Sequence, residues 1–291
     1  MKYNFTIAAL LCATALSACG GGGSSSDATP FTEISDLPES GSVALQGEAV
    51  TMNYRRNTVT GRLTFEDPNR PTDSTLTATF RNGEQVATRA TAGSSGFNID
   101  TRDDGTSSVS QHIAVLSSSS DRSVAIFANP ETAGLDHTSY GTWLDGDTNT
   151  RGSVAAGSYG SRTAAADVPT SGTATYNGKG VGMATVGDGD LYGTEFDVTL
   201  STTDFNTIAI SSNNTLATNL IDGGTSRLSS LDFNGTGTIT DSGFSANLTS
   251  GSGTGSTQGN FYGPNAEEVG GTFSVSGSTV THIGAYGASQ P

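Results

Sequence analysis

The sequence predicts an all-β fold: an N-terminal β-rich domain followed by a soluble, eight-stranded antiparallel β barrel. Two observations carry this expectation. Phe, Tyr, Val, Ile and Leu recur in short alternating runs separated by turn residues, the period of half-buried strands. No stretch beyond the first segment has the 3.6-residue apolar period of a long helix. The 39 glycines and low charge of this 291-residue chain suit turns rather than disorder, because disordered chains lack clustered apolar and aromatic residues.

The opening segment, MKYNFTIAALLCATALSAC, has the order of a secretory signal. Lys2 gives a basic start, an apolar run covers 5–15, and small residues follow. That run is shorter than the roughly 17–25 residues needed to span a bilayer. Leu16-Ser17-Ala18-Cys19 resembles the bacterial lipobox, so residues 1–18 are expected to be removed and Cys19 to carry acyl chains such as palmitate. Each buried methylene contributes about 0.8 kcal/mol, which makes several chains on one residue a firm anchor. Gly20, directly after the cysteine, favours delivery to the outer membrane, with display on the cell surface and a periplasm-facing position as the alternative. The glycines and serines of 20–26 then read as a flexible tether, with the lead-in reaching residue 40 and Pro30 and Pro38 breaking any local element.

Cys12 leaves with the signal and Cys19 is lipidated, so the mature body has no thiol for a disulfide, metal site or nucleophile. Against 13 basic residues stand 28 acidic ones, a balance that disfavours nucleic acid and suits solubility outside the cell.

The first β region spans 41–165. Alternation over 62–66 is followed by a turn at 67–71, and residues 76–80 alternate again. Arg81-Asn82-Gly83-Glu84 is a strong hairpin signal, because Asn-Gly accepts positive φ, and Val86 begins the return. Further strands are expected at 96–100, 110–116 and 124–127, forming an antiparallel sheet with one wet face. The small, proline-containing stretch 164–169 marks the boundary.

The second region, 170–291, is more regular. Residues 173–176 lead into an expected turn, Asn177-Gly178-Lys179-Gly180, from which 181–186 return. Gly187-Asp188-Gly189-Asp190 turns the chain, and 195–200 alternate with Phe196, Val198 and Leu200 on one face. Strands follow at 207–211, 230–233, 237–240, 244–248, 259–262, 271–275 and 280–286. So many short strands favour a closed barrel, which removes exposed edges. A membrane-spanning barrel is disfavoured, since its strands need about 9–11 residues and an apolar outer band.

Near the C-terminus, Phe261-Tyr262-Gly263-Pro264-Asn265-Ala266-Glu267-Glu268-Val269-Gly270-Gly271-Thr272-Phe273 resembles the recurrent motif of β-barrel domains in the transferrin-binding protein B superfamily. Gly172-Thr173-Ala174-Thr175-Tyr176-Asn177-Gly178 is similar to that family's opening barrel strand. His137-Thr138-Ser139-Tyr140-Gly141-Thr142-Trp143 resembles a segment preceding it in single-barrel members. The resemblance implies a surface lipoprotein with one β-rich handle domain (41–165) and one barrel (170–291). The motif itself reads as structural. Phe261 and Tyr262 place one aromatic on each strand face, and Gly263-Pro264-Asn265 turns the chain. Ala266-Glu267-Glu268 are expected to form one helical turn capped by Asn265. Gly270 and Gly271 then permit a special backbone conformation or a close approach before Phe273 and Val275 return to the interior.

No catalytic constellation is visible, and the chain is read as a non-enzyme. Three histidines are present, His112, His137 and His282. His137 is the candidate haem ligand, with Tyr140 and Trp143 as aromatic neighbours for a porphyrin. Asp145, Asp147 and Asn149 match the first positions of a calcium loop, but Thr150 replaces the required glycine, so they read as a turn. Asp188 and Asp190 belong to a turn, adjacent Glu267 and Glu268 cannot form a glycosidase pair, and Tyr140, Trp143 and Tyr159 read as core residues, with a partner-binding patch as the alternative. The leading functional expectation is non-covalent binding of an extracellular ligand: haem, a haem protein or another host iron source, passed to a TonB-dependent receptor. The competing one is a structural, adhesion or immune-interaction envelope lipoprotein without cargo.

Overall fold

The computed structural model describes residues 29–30, 32–60, 63–100, 105–109, 112–116, 124–128, 132–147, 150–187, 189–220, 222–251 and 253–291. The signal, Cys19, Asn149 and Asp188 therefore lie outside the described residues. The N-terminal sheet contains β1 (Thr29–Pro30), β2 (Gly41–Arg56), β3 (Leu63–Phe65), β4 (Ser74–Arg81) and β5 (Glu84–Ala92). It continues with β6 (Ser95–Asp100), β7 (Gly105–Val109), β8 (His112–Leu116), β9 (Val124–Ala128), β10 (Thr138–Asp147) and β11 (Arg151–Gly160). The barrel is built from β12 (Ala174–Val186), β13 (Asp190–Thr202), β14 (Thr207–Asn219), β15 (Thr225–Arg227) and β16 (Phe233–Thr240). β17 (Gly243–Ser250), β18 (Thr254–Tyr262), β19 (Glu268–Ser276) and β20 (Val280–Ser289) complete it.

The first sheet runs in the order β6-β5-β4-β2-β11-β10-β9-β8-β7, with β1 and β3 also on β2. The 16-residue β2 is its corner: residues 41–46 pair with β4 and residues 47–55 with β11. The hairpin of β4 and β5 turns at Asn82 and Gly83, both at positive φ, as their side chains allow. In the second sheet the order is β13-β12-β20-β19-β18-β17-β16-β14, and β13 pairs with β14 to close an eight-stranded antiparallel barrel. The short β15 adds to β14 outside the circle.

Several local expectations are corrected. Residues 177–180 do not turn: β12 runs unbroken from Ala174 to Val186, paired on both sides. A Cβ on Gly178 would lie 2.1 Å from the Gly287 carbonyl oxygen, so this glycine serves close strand approach rather than reversal. Residues 229–231 form a 3-10 turn before β16 instead of a strand, placing buried Leu231 at one barrel end. After Tyr262 there is no helical turn: Ala266 is left-handed at φ 59 and Glu268 already opens β19. The lead-in is not free to residue 40 either, because β1 pairs with β2 and a 3-10 turn follows at Ile34–Asp36.

The expected wet face of the first sheet also fails in its centre. One face of β2 and β9–β11 encloses a handle core with Val43, Leu45, Phe127, Trp143 and Tyr159. The other face sends Val50, Met52, Tyr140, Leu144 and Val154 against the barrel's Val181, Met183, Leu191 and Ile283. Glycines allow this sheet-on-barrel contact: a Cβ on Gly287 would sit 2.7 Å from the Tyr140 ring, and one on Gly270 would sit 2.3 Å from Ser158 Oγ.

Strand length does not distinguish this barrel from a membrane one, since β12, β13 and β14 have 13 residues each. The faces do. Phe196, Phe233, Phe244, Phe261 and Phe273 fill the interior, while Asn234, Thr236, Thr238, Ser245, Asn247 and Thr249 face outward. A lipid-facing barrel has the reverse arrangement, with an apolar band outside and a polar lumen.

Candidate functional site

The C-terminal motif and the segment around His137, far apart in sequence, meet at the junction of handle and barrel. β18 delivers Phe261 into the barrel core and Tyr262 toward the handle, where its hydroxyl lies 3.3 Å from Ser158 Oγ. The turn that follows is held from three directions. Thr163 Oγ1 donates to the Gly263 carbonyl at 2.6 Å, and Tyr176 Oη donates to the Ala266 carbonyl at 2.9 Å. Gln290 adds a bond from its Nε2 to the same Ala266 oxygen at 3.0 Å.

The two adjacent glutamates do different work. Glu267 turns back on its own loop, accepting from Asn265 N at 2.8 Å and Asn265 Nδ2 at 2.6 Å. Burial pushes its carboxyl up, but the Asn265 donors outweigh that and hold it below the usual range. Glu268 points into the junction and is only 3% exposed. Its carboxylate accepts the backbone N–H of Asp136 and that of His137, the latter at 3.1 Å. Burial pushes this carboxyl up, and the two backbone donors only partly offset the shift.

The same peptide also receives the N-terminal lead-in. Ile34 N donates to the Asp136 carbonyl at 2.8 Å, and His137 Nδ1 lies 3.0 Å from the Thr32 carbonyl oxygen. His137 packs over Gly263, where a Cβ would come within 2.7 Å of its ring. A further pin joins handle and barrel, and another ties the connector to the handle. Arg70 Nη1 donates to Thr272 Oγ1 at 2.8 Å, and burial lowers the proton affinity of its guanidinium. Arg162, in the connector, pairs with Glu48 of β2 at 3.1 Å.

His137, Tyr140 and Trp143 are not brought together around a common cleft. His137 is half-buried in the junction. Tyr140 and Trp143 are fully buried on opposite faces of β10, one in the handle–barrel core and the other in the handle core. Trp143 stacks on Phe127 at 6.3 Å and donates from Nε1 to Ser95 Oγ at 3.2 Å, while Tyr159 bonds Ser74. Asp145 and Asp147 lie in β10 rather than in a turn, Asp145 Oδ2 accepts from Gly96 N of β6 at 3.0 Å, and no group of metal-binding side chains occurs among the described residues. Sequence reasoning missed Arg70, Glu268 as a junction ligand, and the His112–Tyr140 contact, because each partner comes from a remote strand.

The molecule has two poles. β1 brings the lead-in to the start of β2, beside the Asn82-Gly83 turn and on the motif side of the junction. β2 then runs 16 residues, about 50 Å at roughly 3.3 Å per residue, to the far pole. There Asn57 Oδ1 accepts from Val59 N and Thr60 N, a turn that presents Val59 to solvent at 91% exposure. A crevice of about 380 Å³ beside it is lined by Leu63, Phe65, Thr185 and Thr281, between handle and barrel-end turns.

Residues 168–290 match the family model described as C-lobe and N-lobe β barrels of Tf-binding protein B. No curated protein sequence matches the chain. Among solved structures, a transferrin-binding protein B variant from Haemophilus parasuis Hp5 aligns at 13% identity and TM-score 0.42, covering 87% of this chain and 76% of that one. A variant from Actinobacillus pleuropneumoniae H49 aligns at 11% identity and TM-score 0.45, covering 84% and 99%. The haemoglobin receptor HpuA from Kingella denitrificans aligns at 13% identity and TM-score 0.42, covering 91% and 93%. The similarity to the C-lobe and N-lobe β barrels of Tf-binding protein B thus falls on the barrel, residues 168–290.

Proposed function

We propose that this protein is a lipid-anchored receptor on the outer-membrane surface that captures a host iron-carrying protein by non-covalent contact. The observation that carries the reading is the match of residues 168–290 to the family model of Tf-binding protein B β barrels. The two poles support it: the lead-in docks at one end of β2, and the solvent-facing Val59 turn lies at the other. A protein ligand suits the geometry better than free haem, because Tyr140 and Trp143 are buried on opposite faces and cannot flank one porphyrin with His137. Cargo released from such a complex would pass to a TonB-dependent receptor.

The test is capture by the immobilised body from residue 27 onward, offered serum, purified transferrin, haemoglobin and free haem in separate arms. Retention of one iron-carrying protein, without a haem absorbance change in the free-haem arm, is the expected result. Retention of nothing from any arm would overturn the proposal and favour an envelope protein without cargo.

A further inference from the structure

His112 is a second histidine, besides His137, that stands between handle and barrel. It sits on β8 and is 1% exposed. Its Nε2 lies 2.8 Å from Tyr140 Oη on β10, and the two rings meet edge-on at 5.7 Å. On the other side, Nδ1 has no hydrogen-bond partner and faces Glu195 Oε2 of barrel strand β13 at 3.6 Å. Tyr140 is itself wedged against Gly287 of β20. The ring therefore stands between a handle phenol and a barrel carboxylate. Its backbone pairs with Val109 of β7 on one side and Ala128 of β9 on the other.

We infer that His112, Tyr140 and Glu195 form a proton-operated latch that tightens the handle against the barrel under mild acid. A neutral imidazole has one N–H, so it can donate toward only one of its two neighbours. Burial and the Glu195 charge both raise the Tyr140 pKa, so its hydroxyl stays protonated and can turn to donate or accept. When the ring gains a proton, both nitrogens donate. Nε2–H is accepted by Tyr140 Oη, and Nδ1–H becomes the cationic partner of Glu195. A charge-assisted hydrogen bond is about twice as strong as a neutral one, and Glu195 lies in the other domain. The 3.6 Å gap is slightly long for a hydrogen bond, as expected for a contact that closes on protonation. The contact to Glu195 is charge-assisted only while the ring carries both protons, so the latch is tighter in acid than in alkali.

Amide hydrogen exchange on the full mature protein, corrected for intrinsic rates, reads this directly at β8, β13 and β20. Glu195→Gln keeps the shape of a side chain that is 36% exposed, so the variant is expected to fold. At pH 5.5 it should raise opening at these strands about tenfold relative to the parent, and at pH 7.5 less than twofold. His112→Asn should also lose the Tyr140 bond at both pH values, and adding Glu195→Gln to it should bring no further acid-specific loss. Equal effects of Glu195→Gln at both pH values, or additive effects in the double variant, would overturn the latch. The readout needs no ligand, so it fails or succeeds independently of the proposed receptor function.

Discussion

His282 shows how one buried side chain makes the whole fold sensitive to acid. It faces the barrel interior, edge-on to Phe273 at 4.7 Å, with Nε2 2.9 Å from Thr194 Oγ1. Burial holds its pKa down to about 3 against an ordinary 6.5. The unfolded chain therefore binds a proton that the folded chain refuses between those values. Stability from this group is complete above pH 6.5 and falls as pH drops toward 3. From pH 7.5 to 5 the loss should be about 2 kcal/mol. Urea unfolding of His282→Gln should show a pH dependence shallower by that amount; an unchanged slope would refute the assignment. Glu268 works with the opposite sign. Its raised pKa means that its titration favours the folded state below the ordinary carboxylate range and does so less as pH rises. Glu268→Ala leaves the Asp136 and His137 N–H groups without their acceptor and should cost about 2–3 kcal/mol. Glu268→Gln keeps an uncharged acceptor and should cost less than half of that. The two denaturation midpoints provide the comparison, and equal losses would show that the hydrogen bonds are not what Glu268 contributes.

Among the elements, β12 is where local sequence and structure disagree most. Asn177-Gly178-Lys179-Gly180 has the composition of a hairpin turn, yet it is the middle of a 13-residue strand. The strand passes straight through because both flanks are already paired: β20 lies on one side and β13 on the other. Gly178→Val should therefore destabilise by about 1–3 kcal/mol or more through overpacking, whereas a true turn would show mainly a backbone effect. Thermal melts of Gly178→Val check this, and a change under half a kcal/mol would restore the turn reading. The Asn82-Gly83 hairpin, by contrast, is legible from two residues because positive φ at both positions is a local requirement. The alternation of Phe196, Val198 and Leu200 also reads correctly, since one face of β13 fills the barrel and the other meets solvent. Alternation fails in β11, where residues 154–159 are all buried because the barrel covers the face that would otherwise be wet.

For the molecule as a whole, the shared core between handle and barrel predicts mutual dependence. Val181, Met183, Leu191 and Ile283 point out of the barrel and are buried only by the handle. An isolated barrel from residue 168 should expose this patch, bind a hydrophobic dye and melt below the full-length body. A fragment that binds no dye and melts at the same temperature would show that the junction contributes little. Contiguous apolar exposure of that kind is unusual on a free domain and common on an interaction face.

The sequence by itself determined the all-β class, the barrel, the family motif and the expectation of a lipid-bearing Cys19, because each rests on local period or a contiguous run of residues. Tertiary structure decided which strands are wet on one face and which are covered on both, and it chose the core reading over the binding-patch reading for Tyr140 and Trp143. It also joined His137 to Glu268 and His112 to Glu195. Periodicity reports the face of a single strand, whereas burial of the second face depends on a neighbour that folds up from more than a hundred residues away.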